Sequence, residues 1–121
     1  MALRFEDIPA WQDARKLTKQ IYALTAAASF EGDRDLGEQM RRAATSSMRS
    51  IAAGPSCATQ RAFAQCLYEA YQSVAAVQSL LYVALDLGHI ETDAFRAHYE
   101  QAARVAAQVG DLEQSLVQRN D

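Results

Sequence analysis

The chain has 121 residues, of which 50% are hydrophobic, and its formal net charge is −3 at pH 7. This length predicts one domain, and the small negative charge gives no general attraction to nucleic acid. The 24 alanines, against only 2 prolines and 5 glycines, favour helices and argue against a sandwich, a barrel, collagen or a disordered chain.

The sequence also indicates where the protein works. No apolar run reaches the length that a membrane span needs, and 2 cysteines are too few for a disulfide framework. Acidic residues occupy the N-terminal positions in which a signal peptide would have its apolar stretch. We therefore expect a cytoplasmic protein that makes no contact with membranes.

Breaks in the apolar pattern divide the chain into four segments, at about 10–29, 34–53, 59–87 and 91–118. Pro9 begins the first segment, where its missing N–H costs nothing, and Gly88 is a predicted left-handed cap of the third. In three of the four segments, apolar residues recur at spacings of three and four, which is typical of helices packed side by side. In the third segment this stripe consists of Phe63, Leu67, Ala70, Val74, Val77, Leu81 and Ala84. Because the breaks are short, residues 1–121 are predicted to form one all-α domain, an antiparallel up-down-up-down four-helix bundle.

The second segment is locally basic. Residues 41–61 carry four positive charges and no acidic residue, whereas residues 31–40 carry a net charge of −3. The basic residues are Arg41, Arg42, Arg49 and Arg61. One hypothesis is a nucleic-acid-binding patch. The alternative is a solvated face whose arginines pair with Glu38, Glu69 or the fourth helix. The negative net charge and the lack of an aromatic residue among the arginines favour this alternative.

The third segment is apolar nearly all round. Between Arg61 and Asp86 its only charged residue is Glu69. Besides the core stripe it carries a second stripe, from which we predict an oligomer interface formed by Tyr68, Tyr71, Tyr82 and Leu85. The alternative interpretation is that the tyrosines are ordinary half-buried residues whose hydroxyl groups reach water.

Patterns that carry chemistry are missing from the sequence. There is no nucleophile elbow, no phosphate-binding loop, and no pair of Glu-x-x-His motifs for a di-iron site. The spacings of Cys57, Cys66, His89 and His98 match no common zinc pattern. We therefore expect no enzymatic activity, no cofactor and no metal.

Three stretches resemble one known family, namely FEDIPAWQDARKLTKQIY, RRAATSSMRSIAAG and FAQCLYEAYQSVAAVQSLLYVALDLGHI. The chain looks like the four-helix bundle proteins encoded in intervening sequences of bacterial 23S rRNA, and the resemblance spans about residues 5–115. The same family includes the accessory variability protein of diversity-generating retroelements. The resemblance implies a non-enzymatic bundle that assembles into a ring of five copies, and in the retroelement branch a basic surface that binds nucleic acid and a reverse transcriptase.

The chain departs from the family's pattern at three polar positions. Ser50, Ala53 and Ala76 stand where the family usually has asparagine, glutamate and glutamate. The strongly basic character of the retroelement branch is also missing. We therefore expect a homo-oligomeric structural or adaptor assembly, whose partners are its own copies and another protein. The alternative is a nucleic-acid-binding accessory factor that uses the basic second helix.

Overall fold

The computed structural model describes residues 3–119, which form four long helices joined by short connections. The helices are α1 (Pro9–Thr25), α2 (Arg34–Ala53), α3 (Gln60–Asp86) and α4 (Thr92–Arg119). Single 3-10 turns lie at Phe5–Asp7, Ala28–Phe30 and Gly54–Ser56. Within residues 3–119 no strand is present, which confirms the predicted all-α class.

The four helices form a closed bundle. Each helix packs against the next one in the chain, and α4 packs against α1 to complete the square. Because the connections are short, successive helices run antiparallel. The predicted four-helix bundle is therefore confirmed, and the connections α1–α2 and α3–α4 lie at one end of it while the connection α2–α3 lies at the other.

The core lies along the axis of the bundle. All seven apolar positions predicted for the core stripe of α3 are buried, from Phe63 to Ala84. They meet Leu17 and Ile21 of α1 and Met40 of α2 in one continuous cluster. In the described part of the chain, no helix combines the length and the apolar character that crossing a membrane requires.

The first helix ends at Thr25, four residues before the predicted end at position 29. After Thr25 the backbone turns, and Ala27 is extended with a ψ of 153°. This bend buries the ring of Phe30, which is 2% exposed. Burial of one aromatic ring therefore outweighs the helix propensity of the alanines at 26–28.

Side chains and glycine define the other helix ends. The Asp33 carboxylate caps α2 by accepting the Leu36 N–H (3.3 Å), and the Thr59 hydroxyl caps α3 by accepting the Ala62 N–H (3.0 Å). Gly88 has a φ of +76°, which confirms the predicted left-handed cap after α3.

Candidate interaction surfaces

Three tyrosines lie half-exposed along α3, and the last of them, Tyr82, packs against α4. Tyr68, Tyr71 and Tyr82 are 53%, 51% and 50% exposed. The ring of Tyr82 packs against the rings of Phe95 (4.7 Å between centroids) and Tyr99 (5.8 Å), both of α4. We call Tyr68, Tyr71 and Tyr82 the tyrosine surface. Half of the area of each side chain is open to contact with another molecule.

The structure does not place Leu85 with these tyrosines. Leu85 is half-buried and packs against the hydrophobic core. It follows the buried Leu81 by four residues, so both side chains lie on the same side of α3. Leu85 therefore contributes to the monomer core rather than to the exposed surface for which the sequence suggested it.

The opposite side of α3, which faces α2, is also apolar. Val83 is 39% exposed and Leu87, the residue after the helix, is 58% exposed, while Leu80 is half-buried. Among the described residues, eight large apolar or aromatic side chains are exposed, and five of them lie on α3 or at its C-cap. These five are Tyr68, Tyr71, Tyr82, Val83 and Leu87. The uncovered apolar area of the bundle is therefore concentrated on one helix.

The four predicted arginines do not lie together. Arg42 and Arg49 are exposed on the outer face of α2, and Arg61 is exposed in the first turn of α3. Arg41 turns toward α1, where its Nε donates a hydrogen bond to Thr25 Oγ1 (2.8 Å). Three of the arginines are thus available to a ligand, while the fourth helps to join α1 to α2.

The arginines have not formed the ion pairs that the solvated-face interpretation expects. Among the side chains that the structure describes, those of residues 3–117, the pairs closer than 4.0 Å are Arg4–Glu6, Lys16–Asp13 and His89–Asp33. None of them includes Arg41, Arg42, Arg49 or Arg61. Among the described side chains, no carboxylate oxygen therefore lies within 4.0 Å of a nitrogen atom of these four arginines.

An aromatic residue that the sequence did not connect to the arginines lies beside one of them, Arg41. The guanidinium carbon of Arg41 is 5.0 Å from the centroid of the Tyr22 ring, and Tyr22 is 46% exposed. On the same helix, Arg15 lies over the Trp11 ring at 5.8 Å. The packing of α1 on α2 creates the first pair, so no spacing within α2 could have indicated it. The second pair could be expected from the sequence, because Trp11 and Arg15 are four residues apart on one helix.

Charge differs between the two ends of the bundle. The end with the α1–α2 and α3–α4 connections is rich in acidic residues, namely Glu31, Asp33, Asp35, Glu91 and Asp93. At the opposite end, Arg49 and Arg61 flank the α2–α3 connection, but the start of α1 and the end of α4 also lie there and add Glu6, Asp7, Asp111 and Glu113. We call the first the acidic end. An anionic ligand is repelled from the acidic end.

The two cysteines are neighbours in space. Cys57 Sγ, in the α2–α3 connection, lies 3.7 Å from Cys66 Sγ in the second turn of α3, and both side chains are partly buried. Burial raises the pKa of the Cys66 thiol, and the hydrogen bond with Cys57 and the charge of Glu69 add to this effect. The pair is therefore a close dithiol with at least one member held in its neutral form.

The comparison with known proteins identifies one family. The family model of the 23S rRNA-intervening sequence protein matches residues 6–111 of the chain. No curated protein matches the chain. The matched residues include the tyrosine surface, the four arginines and both cysteines, so every surface described above lies within the family's domain.

Proposed function

Because the chain belongs to the 23S rRNA-intervening sequence protein family, we propose that it is a non-enzymatic bundle whose copies assemble into a ring of five. The ring serves as a structural or adaptor assembly for another protein. The observation that supports this proposal is the concentration of uncovered apolar side chains on α3. The number of copies follows from the resemblance to the family.

The tyrosine surface suits contact between copies. Tyrosine supplies a large, fairly rigid ring with a polar tip, and it is enriched at protein interfaces. Tyr82 is held in place by Phe95 and Tyr99, so little side-chain freedom would be lost on association. Covering half-exposed rings with a second copy would remove apolar area from water.

A closed ring also needs two different patches, because each copy contacts its neighbours head to tail. The tyrosine surface of α3 is one such patch. The exposed side chains of Val83 and Leu87 on the α2 side provide the second. One helix would then contribute to both contacts of each copy.

The mass of the protein in solution tests this proposal. Sedimentation velocity or light scattering at micromolar concentration should give an oligomer for the natural chain. The double variant Tyr68→Glu with Tyr71→Glu should be monomeric, with its helical circular dichroism unchanged, since two carboxylates would be desolvated in the interface. Tyr22→Glu is the matched control, because Tyr22 is exposed to a similar extent (46%) on α1. A monomeric natural chain, or equal dissociation by the control, would contradict the proposal.

The proposed absence of chemistry has its own test. Purified protein should carry no metal or cofactor in stoichiometric amount, as measured by elemental analysis and absorption spectroscopy. A stoichiometric group that survives purification would overturn this part of the proposal while leaving the assembly intact.

Binding of nucleic acid is the second candidate function, and the unpaired arginines favour it. Arg42, Arg49 and Arg61 are exposed, and among the side chains of residues 3–117 no carboxylate pairs with them. Tyr22 beside Arg41 offers an aromatic ring on which a base can stack. Repetition of these exposed arginines around a ring would multiply the attraction to a polyanion.

A salt titration with duplex and single-stranded RNA and DNA tests this second candidate. Replacing Arg42 and Arg49 by alanine should weaken binding and reduce the slope against salt by roughly one unit for each arginine. The control replaces Arg96 and Arg104 of α4, which removes the same charge from another exposed surface. No binding at about 50 mM salt, where phosphate contacts are strong, would exclude the candidate. Equal loss in both double variants would exclude these residues as the site.

A further inference from the structure

We propose that Cys57 and Cys66 form an oxidisable dithiol, which low-molecular-weight disulfides convert into a disulfide within one chain. The two Sγ atoms lie 3.7 Å apart, and no third residue separates them. A disulfide needs an S–S distance of about 2.05 Å, so the sulfur atoms must approach each other by less than the length of one bond.

The position of Cys57 allows that approach. Cys57 directly follows the 3-10 turn Gly54–Ser56, and its backbone is extended, with a φ of −73° and a ψ of 144°. The residues between it and α3, Ala58 and Thr59, are exposed. A small rotation in this connection can therefore bring the Cys57 sulfur to Cys66, and it would release the hydrogen bond that Cys57 Sγ donates to the Ala53 carbonyl oxygen (3.4 Å).

The two thiols have different roles in the reaction. Cys66 is a poor first nucleophile, because burial raises the pKa of its thiol and only the thiolate attacks. Cys57 Sγ therefore attacks one sulfur of the reagent disulfide, which forms a mixed disulfide and releases one reagent thiol. Cys66 Sγ then attacks Cys57 Sγ, loses its proton and releases the second reagent thiol. The chain loses two hydrogen atoms in total, and one reagent disulfide is reduced to two thiols.

The new bond would restrain the α2–α3 connection. It would close a loop that contains Thr59, which caps α3, and Arg61, one of the exposed arginines at the end opposite the acidic end. Oxidation would thus fix the second turn of α3 to the connection that precedes the helix. The redox state of the surroundings would therefore change the geometry of the α2–α3 connection.

Reaction of the full-length chain with oxidised glutathione tests the proposal. Intact-mass spectrometry should show the loss of two hydrogens rather than the addition of glutathione, and both free thiols should disappear together. Trypsin cleaves after Arg49, Arg61 and Arg96, so Cys57 and Cys66 lie in separate peptides, 50–61 and 62–96. After blocking of free thiols, a denatured digest of the oxidised chain should contain these two peptides joined, and a reducing agent should separate them.

Two single variants assign the roles. Cys66→Ser should stop at the mixed disulfide and retain one glutathione, because no second thiol is present to displace it. Cys57→Ser should react more slowly than Cys66→Ser, since burial raises the pKa of the thiol that remains. Circular dichroism of both variants checks that they fold.

Three results would overturn the proposal. The natural chain could accumulate glutathione on either thiol without joining the two peptides. Disulfides could form between chains, as seen on a gel without reducing agent. The two single variants could react at the same rate, which would remove the assignment of Cys57 as the first nucleophile.

Discussion

His89 Nε2 lies 3.0 Å from Asp33 Oδ2 and so fastens the α3–α4 connection to the beginning of α2. The other carboxylate oxygen of Asp33 caps α2 by accepting the Leu36 N–H. The His89 ring also packs against Phe30, with 5.2 Å between centroids. One aspartate therefore joins a helix start to a connection that is distant in sequence.

Replacement of Asp33 should separate these two roles. We expect Asp33→Ala to lower the free energy of unfolding by about 2 kcal/mol, since both the cap and the contact with His89 are lost. Asp33→Ser should recover part of this loss, because serine is a good cap but does not reach His89. Urea unfolding at one protein concentration measures both variants, and equal values for alanine and serine would show that the cap contributes nothing.

Two glycines should respond to alanine in opposite directions. A Cβ at Gly54 would lie 2.5 Å from Cε1 of the buried Phe63 ring, whereas a Cβ at Gly110 would meet no atom within 4 Å. We therefore expect Gly54→Ala to destabilise the protein by about 1 to 3 kcal/mol through overpacking. Gly110→Ala, inside α4, should stabilise it by about 0.5 to 1 kcal/mol. Thermal unfolding measures both, and destabilisation of similar size by the two variants would contradict the expectation.

Two valines on α3 distinguish its core side from its outer side. Val77 is fully buried and Val83 is 39% exposed. We expect Val77→Ala to cost about 2 kcal/mol, from lost burial and the cavity left behind. Val83→Ala should cost less than about 0.5 kcal/mol in a monomeric background such as the Tyr68→Glu, Tyr71→Glu variant. Chemical denaturation gives both values, and comparable costs would mean that α3 is covered on both sides within one chain.

The reactivity of Cys66 should rise at a higher pH in the folded chain than in the unfolded chain. Burial raises the pKa of this thiol, so a smaller fraction is thiolate at any given pH near neutrality. In the Cys57→Ser variant, the rate of alkylation by iodoacetamide should reach its half-maximum at a higher pH than in the urea-unfolded chain. The folded state holds the Cys66 proton more tightly than the unfolded state does, which determines how the free energy of unfolding changes with pH. The contribution of Cys66 is present below the unfolded pKa and is lost as the pH rises through the folded pKa. Coincident pH profiles of the folded and unfolded chains would contradict the shift.

The sequence predicted the bundle because the apolar spacing is a local property of each helix. On α3 every residue of the predicted core stripe is buried, and Gly88 has the left-handed backbone expected of a cap. The end of α1 was wrong by four residues, because burial of Phe30 depends on a pocket formed by α1 and α2 together. Propensity within the segment carries no information on that contact.

The candidate surfaces were predicted less completely, since they depend on packing between helices. The exposed positions of Tyr68, Tyr71 and Tyr82 agree with their helical spacing, but Leu85 turned inward with the core. Arg41 binds Thr25 and lies over Tyr22, contacts that join residues sixteen or more positions apart. The proximity of Cys57 and Cys66 likewise depends on the 3-10 turn before α3, which the sequence indicated only as a break.

The uneven ends of the bundle restrict how copies of the chain can meet. Glu31, Asp33, Asp35, Glu91 and Asp93 give one end a concentrated negative charge. Joining two such ends would bring like charges together and strip them of water, which opposes association. Contacts along the flanks of the rods avoid that repulsion. Copies that pack side by side in parallel would form an assembly with all of its acidic ends on one face. A partner would then distinguish the two faces of the assembly by charge alone.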